Sequence, residues 1–451
     1  MGMVTDCTAY LAIPLRLGRS DQDRLSRSIK WVRWPVTMSV RDERDWQANI
    51  DDIRNFLIAS LRDELCGSEA GARKWGRLSA TTDFPRLDLR PDYETWATIV
   101  AADLVLLPRF SILLLKAELH GCFSAQDVGA MLGKICALEP THSSAKVPLW
   151  TLADRQTRLI DWVHDDLLDL EESRRHQVAR ETRWFGAHAP MMIVAHADTD
   201  PTSFDENSKI SLGILFGRSI DDRFSGPTES ELRAIRNAGY REWSNWSVHT
   251  NGTRSVVLIN GAGLHGQPEN AHNLYSLLFI LTIYQNVRLL EYLDMTSDTA
   301  IELRDVRRGF DRFRRKFLPL KATTFPTGGR LYQRWRELAE LPRIQRDIED
   351  EIQKAEELER ADNEHYEAKV LLALTILAAI FLPATLITGF FGMNIGDMQT
   401  WGDPWAWFTH SLVLGFMGSL TLLAGLLALL LRTRIETTIR RLLEPKRSQN
   451  E

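Results

Sequence analysis

The sequence predicts an α/β domain, then a long charged stalk helix, and last a C-terminal hairpin of two transmembrane helices. Three observations predict this fold class. Strand-like and helical segments alternate from position 1 to position 267, a charged helical segment begins near position 342, and two long uncharged apolar runs lie near the C-terminus. Together they divide the chain of 451 residues into a soluble part and a membrane part.

Residues 1–267 are predicted to form the α/β domain. The orientation predicted for the membrane hairpin places this domain in the cytoplasm. Its strand-like runs are AYLAIPLRL, VTMSV, SILLLKAEL, MMIVA and SVVLIN. Its helical runs are WQANIDDIRNFLIASL, SAQDVGAMLGKICALE, TLADRQTRLIDWVHDDLLDLEESRR and TESELRAIRNAG, the last with Thr228 and Glu231 spaced as a capping box. This alternation is typical of layered α/β domains and leaves the strand order open.

The composition of the whole chain limits its possible partners. The formal net charge of −5 gives no indication of nucleic-acid binding, so no such partner is expected. The cysteines, Cys7, Cys66, Cys122 and Cys136, are dispersed and form no C-x-x-C pair. This usage indicates a reducing cytoplasm rather than a disulfide framework or a zinc knuckle.

Residues 268–341 are predicted to be a helical segment. Ala271–Met295 and Thr299–Leu318 have helical patterns, and the sequence LPLKATTFPTGG at 318–329 interrupts them. The apolar run Ser276–Tyr284 is short. It cannot cross a bilayer at that length, and we expect a buried core helix.

Residues 342–391 are predicted to be one helix, a stalk that continues into the first transmembrane span. Pro342 suits its first turn. Residues 343–369 carry ten acidic and five basic side chains. Most of these charges are explained by a solvated helix face, but collectively they would attract cations.

Two uncharged segments predict the membrane hairpin. Neither Val370–Phe391 nor Ser411–Leu431 contains a charged side chain. At ~1.5 Å per residue each helix is on the order of 32 Å long, enough for a hydrocarbon core of about 30 Å. Both are therefore predicted to span the inner or plasma membrane.

The flanking charges predict the orientation of the hairpin. The loop at 392–410 contains no Lys or Arg, whereas the tail at 432–451 carries six. By the positive-inside rule the loop is external, the basic tail is cytoplasmic, and both termini of this multi-pass protein lie in the cytoplasm.

The first span carries a stripe of residues that step by three and four positions, as one face of a helix does. The stripe consists of Leu371, Leu374, Ala378, Leu382, Thr385 and Gly389. Two helices cannot enclose a water-filled path, so a pore along this stripe requires several copies of the chain. The alternative is that the stripe only packs the hairpin against lipid.

The sequence AKVLLALTILAAIFLPATLITGFFGMNIG, with its Gly392-Met393-Asn394 signature, resembles the first transmembrane helix of the CorA superfamily of divalent-cation channels. The resemblance covers the stalk and everything after it, positions 342–451, and the remainder agrees only in general organisation. It implies a homopentamer in which the first span lines the pore. It also implies that Gly392, Met393 and Asn394 form the ion-selectivity filter at the outer mouth.

The chemistry of Asn394 agrees with that role. Mg²⁺ loses its waters reluctantly, so a selective mouth should bind the hydrated ion through those waters. A ring of amide oxygens accepts hydrogen bonds from the waters without the tight binding of a carboxylate ring. Leu374 and Leu382 would then be apolar constrictions that gate by dewetting.

Two departures from the family's sequence pattern leave the identity of the transported ion open between Mg²⁺ and Zn²⁺. We place Mg²⁺ first. Phe391 stands where family members often have Tyr, and the loop sequence NIGDMQTWGDPWAW lacks the usual Met-Pro-Glu-Leu stretch. The Asn-Ile-Gly continuation is similar to the zinc-transporting ZntB branch. The family also implies regulatory metal bound by cytoplasmic acids, which cannot be assigned. We expect a transporter rather than an enzyme, with no cofactor besides the transported ion.

A different class of function would be a membrane effector whose cytoplasmic domain binds a small molecule or nucleotide that gates the pore. Gly261, Gly263 and Gly266 stand in G-x-G-x-x-G register between a strand and a helix. The acid-ended second strand of a dinucleotide site does not follow, so a tight turn explains the glycines better.

A third class would be a membrane-tethered hydrolase with His164, Asp165 and Asp166 as metal ligands. That interpretation needs two more metal ligands. The three residues are also explained by the solvent-facing polar side of a helix, without any metal. His265 and His272 flank the glycine turn without a Cys or paired acid at ligand spacing. They are better explained as surface or core histidines.

Overall fold

The structure is a computed structural model of the chain. It describes residues 3–28, 30–33, 56–66, 75–78, 83–90, 95–121, 123–140, 146–170, 186–198, 204–216, 228–241, 245–260, 271–297 and 303–393, together with positions 415, 418, 419, 422, 425 and 426. The chain divides into two compact units, Met1–Ile352 and Gln353–Glu451. The predicted strand VTMSV and the glycine turn at 261–270 lie outside the described residues.

The described part of the first unit contains twelve strands in a single sheet. The strands are β1 (Met3–Leu15), β2 (Trp31–Arg33), β3 (Trp75–Leu78), β4 (Arg86–Arg90), β5 (Thr95–Val105), β6 (Ser111–His120), β7 (Phe123–Ser124), β8 (Leu149–Leu152), β9 (Arg155–Arg158), β10 (Met191–Asp198), β11 (Trp246–Asn251) and β12 (Arg254–Asn260). Their order is β11-β12-β10-β1-β6-β5-β4-β8-β9, with β3 pairing β2 and β5, and β7 pairing β1.

The helices surround this sheet or follow it in the chain. They are α1 (Arg19–Arg27), α2 (Ala59–Cys66), α3 (Ala125–Ile135), α4 (Leu159–Trp162), α5 (Phe204–Phe216), α6 (Glu229–Ala238), α7 (Ser276–Ser297), α8 (Leu303–Phe317), α9 (Pro326–Leu338) and α10 (Leu341–Met393). A π-helical turn, Val163–Leu167, follows α4, and another, Ala271–Tyr275, precedes α7.

The sheet is mixed and mainly antiparallel. β10 and β12 run parallel, while β1 pairs antiparallel with both β6 and β10. The predicted strands SILLLKAEL, MMIVA and SVVLIN are confirmed as β6, β10 and β12. They could be predicted because each is rich in aliphatic residues, which are buried within the sheet.

Apolar side chains cover both faces of the sheet, so the first unit has three layers. On β1, Ala9, Leu11 and Ile13 belong to one buried cluster, which includes residues of α3, α4, α5 and α6. Tyr10 and Ala12, which alternate with them, belong to a second cluster with α2, α7, α8, α9 and the start of α10. The two-residue period of a strand thus divides the core between the two faces.

The helix α7 is the centre of the second cluster. Every residue from Leu274 to Leu289 is buried, including the polar Gln285, which donates a hydrogen bond from Nε2 to the Tyr332 hydroxyl at 2.7 Å. The Tyr284 hydroxyl donates to the Pro108 carbonyl at 2.9 Å. The prediction of a buried core helix at Ser276–Tyr284 is confirmed.

Two local predictions were wrong. The run from Thr151, predicted to be helical, begins with the hairpin β8–β9, and a helix starts only at Leu159. The predicted break at 318–329 ends earlier, because Pro326 occupies the first turn of α9, where its missing N–H costs no hydrogen bond.

A buried histidine gives this fold an expected dependence on pH. His249 of β11 is 1% exposed, and burial lowers its pKa to about 4, although the nearby Ile235 carbonyl opposes the shift. An unfolded chain would protonate His249 near its ordinary pKa of about 6.5. As pH falls from 6.5 to 4, the unfolded state therefore binds the proton first, and the fold loses about 3 kcal/mol.

The measurement is the free energy of unfolding of the full-length protein at pH 7, 5.5 and 4. The parent protein should lose about 3 kcal/mol more than His249→Leu over this range. The same change at the exposed His365 of α10 is the control. Parallel pH curves for the parent and His249→Leu would contradict the prediction.

Candidate functional site

The candidate site lies on α10, a continuous helix of 53 residues. The chain enters it through Glu340, whose φ of 54° is in the left-handed region, and the Glu340 carbonyl accepts the Arg343 N–H at 2.9 Å. Leu341 and Ile348 are buried in the second cluster, which anchors the first turns of α10 in the first unit. The long helix predicted for 342–391 is thus present, one residue longer at the start and two at the end.

The part of α10 in the second unit begins with charge. Residues 353–369 contain six acidic and three basic side chains, and they are exposed except for the half-covered Ala355 and Glu356. The Gln353 amide donates to the Glu357 carboxylate one turn further on, at 3.0 Å. This segment gives the helix a net negative, hydrated surface just before its apolar portion.

The predicted pore stripe lies on one side of the apolar portion. At about 100° per residue, its positions from Leu371 to Gly389 fall within an arc of about 80°. Leu374 and Leu382 are 56% and 65% exposed, and they are separated by about 12 Å along the axis. The single chain therefore presents both candidate constriction residues on one uncovered helix face.

Thr385, the polar member of the stripe, makes a local hydrogen bond. Its hydroxyl donates to the Phe381 carbonyl at 2.6 Å, and Thr375 makes the same contact with Leu371 at 2.7 Å. Such bonds to the preceding turn satisfy a hydroxyl within an apolar helix. The backbone remains helical through Pro383, where the ring removes one donor from the ladder.

The signature falls at the end of α10. Gly392 and Met393 are in its last turn, and Asn394 is the first residue beyond the described segment. The second predicted span is helical at Gly415, Gly418, Ser419, Leu422, Gly425 and Leu426. The roles of the filter and stripe residues stay predictions.

Large apolar side chains of the second unit are exposed. They are Leu358, Tyr366, Val370, Leu371, Leu374, Leu377, Phe381, Leu382, Leu422 and Leu426. Large apolar side chains left exposed in such number are typical of an interaction site. Within the described part of the chain, none of the helices has the length and apolar character that crossing a bilayer requires.

The comparisons with known proteins address this region. Residues 293–432 match the family described as CorA-like Mg²⁺ transporter protein. The C-terminal third carries a CorA-like domain. No curated protein matches the sequence. Among solved structures, that of the full-length CmaX protein is similar at 15% identity, covering 53% of this chain and 89% of that one, with a TM-score of 0.22.

The CorA-like region begins inside α7 and includes α8, α9 and α10. The expectation of a CorA-like protein is therefore supported for the C-terminal helices. Neither a ZntB-like branch nor transport of Zn²⁺ follows from this match. The β-sheet and the helices before α7 lie outside the matched residues.

The hydrolase candidate is not assembled in the described structure. His164 is buried within the π-helical turn instead of lying on a polar helix face, and Asp166 forms an ion pair with Arg155. Among the described residues, no three His, Cys, Asp or Glu side chains are arranged to hold a metal ion. The structure therefore provides no support for metal ligation by His164, Asp165 and Asp166.

Of the residues in and beside the predicted glycine turn, the structure describes His272. Gly261, Gly263, Gly266 and His265 lie outside the described residues. His272 is half-buried with its Nδ1 2.8 Å from the Tyr10 hydroxyl, and burial lowers its pKa to about 4, with the charges of Lys116 and His196 acting in the same direction. The lowered pKa favours the neutral form of His272 at pH 7, and its ring shares a hydrogen bond with the Tyr10 hydroxyl, as a core histidine does.

Proposed function

We propose that the protein is a divalent-cation channel or transporter that moves Mg²⁺, with Zn²⁺ as the second candidate, through a homo-oligomeric membrane pore. The match of residues 293–432 to the CorA-like Mg²⁺ transporter family carries this proposal. The oligomer would be a pentamer, by analogy with that family. The α/β domain would lie in the cytoplasm, and the segments 370–391 and 411–431 would form the membrane hairpin.

The pathway would follow α10 from the acidic segment to the signature. Exposed carboxylates at residues 353–369 concentrate cations near the helix. The arc from Leu371 through Leu374, Ala378, Leu382 and Thr385 to Gly389 would line the pore. The exposure of Leu371, Leu374 and Leu382 in the single chain supports packing against other copies, because apolar helix faces are rarely left in water.

The filter would be formed by Gly392, Met393 and Asn394. The Asn394 amide oxygen would accept hydrogen bonds from the waters around the ion, and glycine at 392 would permit close approach of the backbone carbonyls. The transported ion is the substrate in this proposal, and no resident cofactor is required.

The test is ion uptake by liposomes that contain the purified full-length protein, with Mg²⁺ and Zn²⁺ supplied separately and protein-free liposomes as the control. We expect uptake of Mg²⁺ above the control. The ratio of the Mg²⁺ and Zn²⁺ uptake rates identifies the transported ion. Crosslinking in the same liposomes should give a ladder that ends at five subunits. Absence of uptake of either ion by the intact oligomer would overturn the proposal.

A further inference from the structure

The outer face of α8 is a row of arginines, here called the arginine stripe. It consists of Arg304, Arg308, Arg312 and Arg315. These positions step by four, four and three, so at about 100° per residue they fall within an arc of about 80°. All four side chains are exposed. At ~1.5 Å per residue the stripe extends about 16 Å along the helix.

The opposite face of α8 is buried. The buried side chains, all members of the second cluster, are those of Val306, Phe310, Phe313 and Phe317. By the same helical spacing they lie on the side of α8 opposite the arginine stripe. The stripe therefore points away from the core of its own chain.

Nearby carboxylates neutralise little of the stripe. In the described structure Arg308 is the member with a carboxylate at ion-pair distance, that of Asp305 at 3.8 Å. Asp311, at the margin of the stripe, is shared by Arg307 at 3.8 Å and Arg314 at 3.9 Å. Exposed pairs of this kind contribute at most about 1 kcal/mol. The stripe thus keeps most of its positive charge for another partner.

The first turns of α10 carry a surface of opposite charge, here called the acidic patch. It consists of Asp347, Asp350 and Glu357, all exposed. They fall within an arc of about 80° and extend about 15 Å along the helix. None of the three forms an ion pair with a described residue, and Glu357 accepts only the Gln353 amide, at 3.0 Å. Lys354 lies in the same arc, which leaves a net charge of −2.

The acidic patch also faces away from its own chain. Leu341, Ile348 and Ile352 of α10 are buried in the second cluster, and helical spacing places them on the side opposite the patch. Arg314 of α8 reaches α10 at Glu349, at 3.0 Å, which lies outside the patch. Since both charged surfaces point outward, they do not meet within one chain.

We propose that the arginine stripe of one copy of the chain docks on the acidic patch of a second copy. The two surfaces have opposite charge and nearly equal length, and guanidinium groups pair with carboxylates through two parallel hydrogen bonds. Because the contact joins two different surfaces, it is head-to-tail, and repeated contacts of this kind can close into a ring. The inference rests on the homo-oligomer of the proposed function and names a surface by which its copies associate.

The test measures association of the full-length protein in detergent by sedimentation equilibrium. Arg304→Glu/Arg312→Glu should raise the dissociation constant at least about tenfold, because it places like charges opposite each other. Asp350→Lys/Glu357→Lys should do the same from the other side of the contact. Combining the four substitutions reverses both surfaces and should restore association to within about threefold of the parent protein.

The control is Arg19→Glu/Arg27→Glu on α1. Arg19 and Arg27 are also exposed and are also eight residues apart, so the control makes the same change of charge outside α8. Its association should equal that of the parent protein.

Three outcomes would overturn the proposal. They are a parent protein that stays monomeric, a control that weakens association as much as the reversals, and a combined variant that shows no recovery. A fourth is loss of binding to phosphatidylserine vesicles in Arg304→Glu/Arg312→Glu with association unchanged, since the stripe would then bind lipid. Association is measured without ion flux. An oligomer that responds to the reversals but takes up no ion would therefore overturn the transport proposal and leave this contact in place.

Discussion

Asn394→Ala is expected to abolish divalent-cation uptake by liposomes that contain the protein, while the oligomer remains assembled. Alanine cannot accept hydrogen bonds from the waters of a hydrated ion. In a homo-oligomer one substitution removes the amide from every subunit of the ring at once. Mg²⁺ keeps its first-shell waters as it enters, and those waters lose their hydrogen bonds to bulk water. An apolar ring at the mouth cannot replace these hydrogen bonds. The measurement is initial uptake rate at matched protein density.

Two variants make this experiment specific. Gln399→Ala removes an amide from the same predicted loop but outside the signature, and it should retain parental uptake. Asn394→Asp keeps an oxygen acceptor but adds a ring of negative charge, so we expect tighter ion binding and slower release. Equal loss of uptake in Gln399→Ala, or parental uptake in Asn394→Ala, would contradict the filter assignment.

The sequence was informative where local pattern and burial agree. The run SILLLKAEL became β6 because its side chains are buried in the centre of the sheet, where β-branched and aliphatic residues pack well. The start of α10 was predicted within one residue from Pro342, and its path from charged to apolar residues is visible in composition alone.

The sequence analysis did not predict the hairpin β8–β9, because the hairpin depends on pairing with a strand far away in the sequence and its own residues are a poor strand signal. Its second strand, Arg155–Arg158, contains two arginines and no large apolar residue, which is a poor strand signal. The turn between the strands includes Ala153 at a φ of 50°, without the glycine or asparagine that usually marks it. Pairing of Thr151 in β8 with Arg86 in β4, far earlier in the chain, stabilises the hairpin.

The functional candidates also differ in whether local sequence or contacts between distant segments bring their residues together. The stripe on α10 is local, so helical spacing alone places Leu374 and Leu382 on one face. The approach of Arg16 to Glu291 cannot be predicted from spacing, because the two residues come from separate elements, and only the packing of α7 on the sheet brings them together. The pairing of Arg288 with Glu291 and the burial of both side chains are findings of the structure.

Glu291→Leu is expected to destabilise the first unit by about 3–5 kcal/mol, because it leaves the charge of Arg288 buried without its partner. The side chain is close in size, so the loss would come from charge and not from a large cavity. The measurement is the free energy of unfolding of the full-length protein at pH 7. Glu364→Leu, on the exposed part of α10, removes the same charge and is the control.

The double variant Arg288→Met/Glu291→Leu separates pairing from packing. Removing both charges leaves no uncompensated ion, so its stability should lie well above that of Glu291→Leu. In a double-mutant cycle with Arg288→Met, the two substitutions should couple by more than about 1 kcal/mol. Additive losses would mean that Arg16 or solvent already compensates each charge. In that case the burial of this pair would not explain the stability of α7 against the sheet.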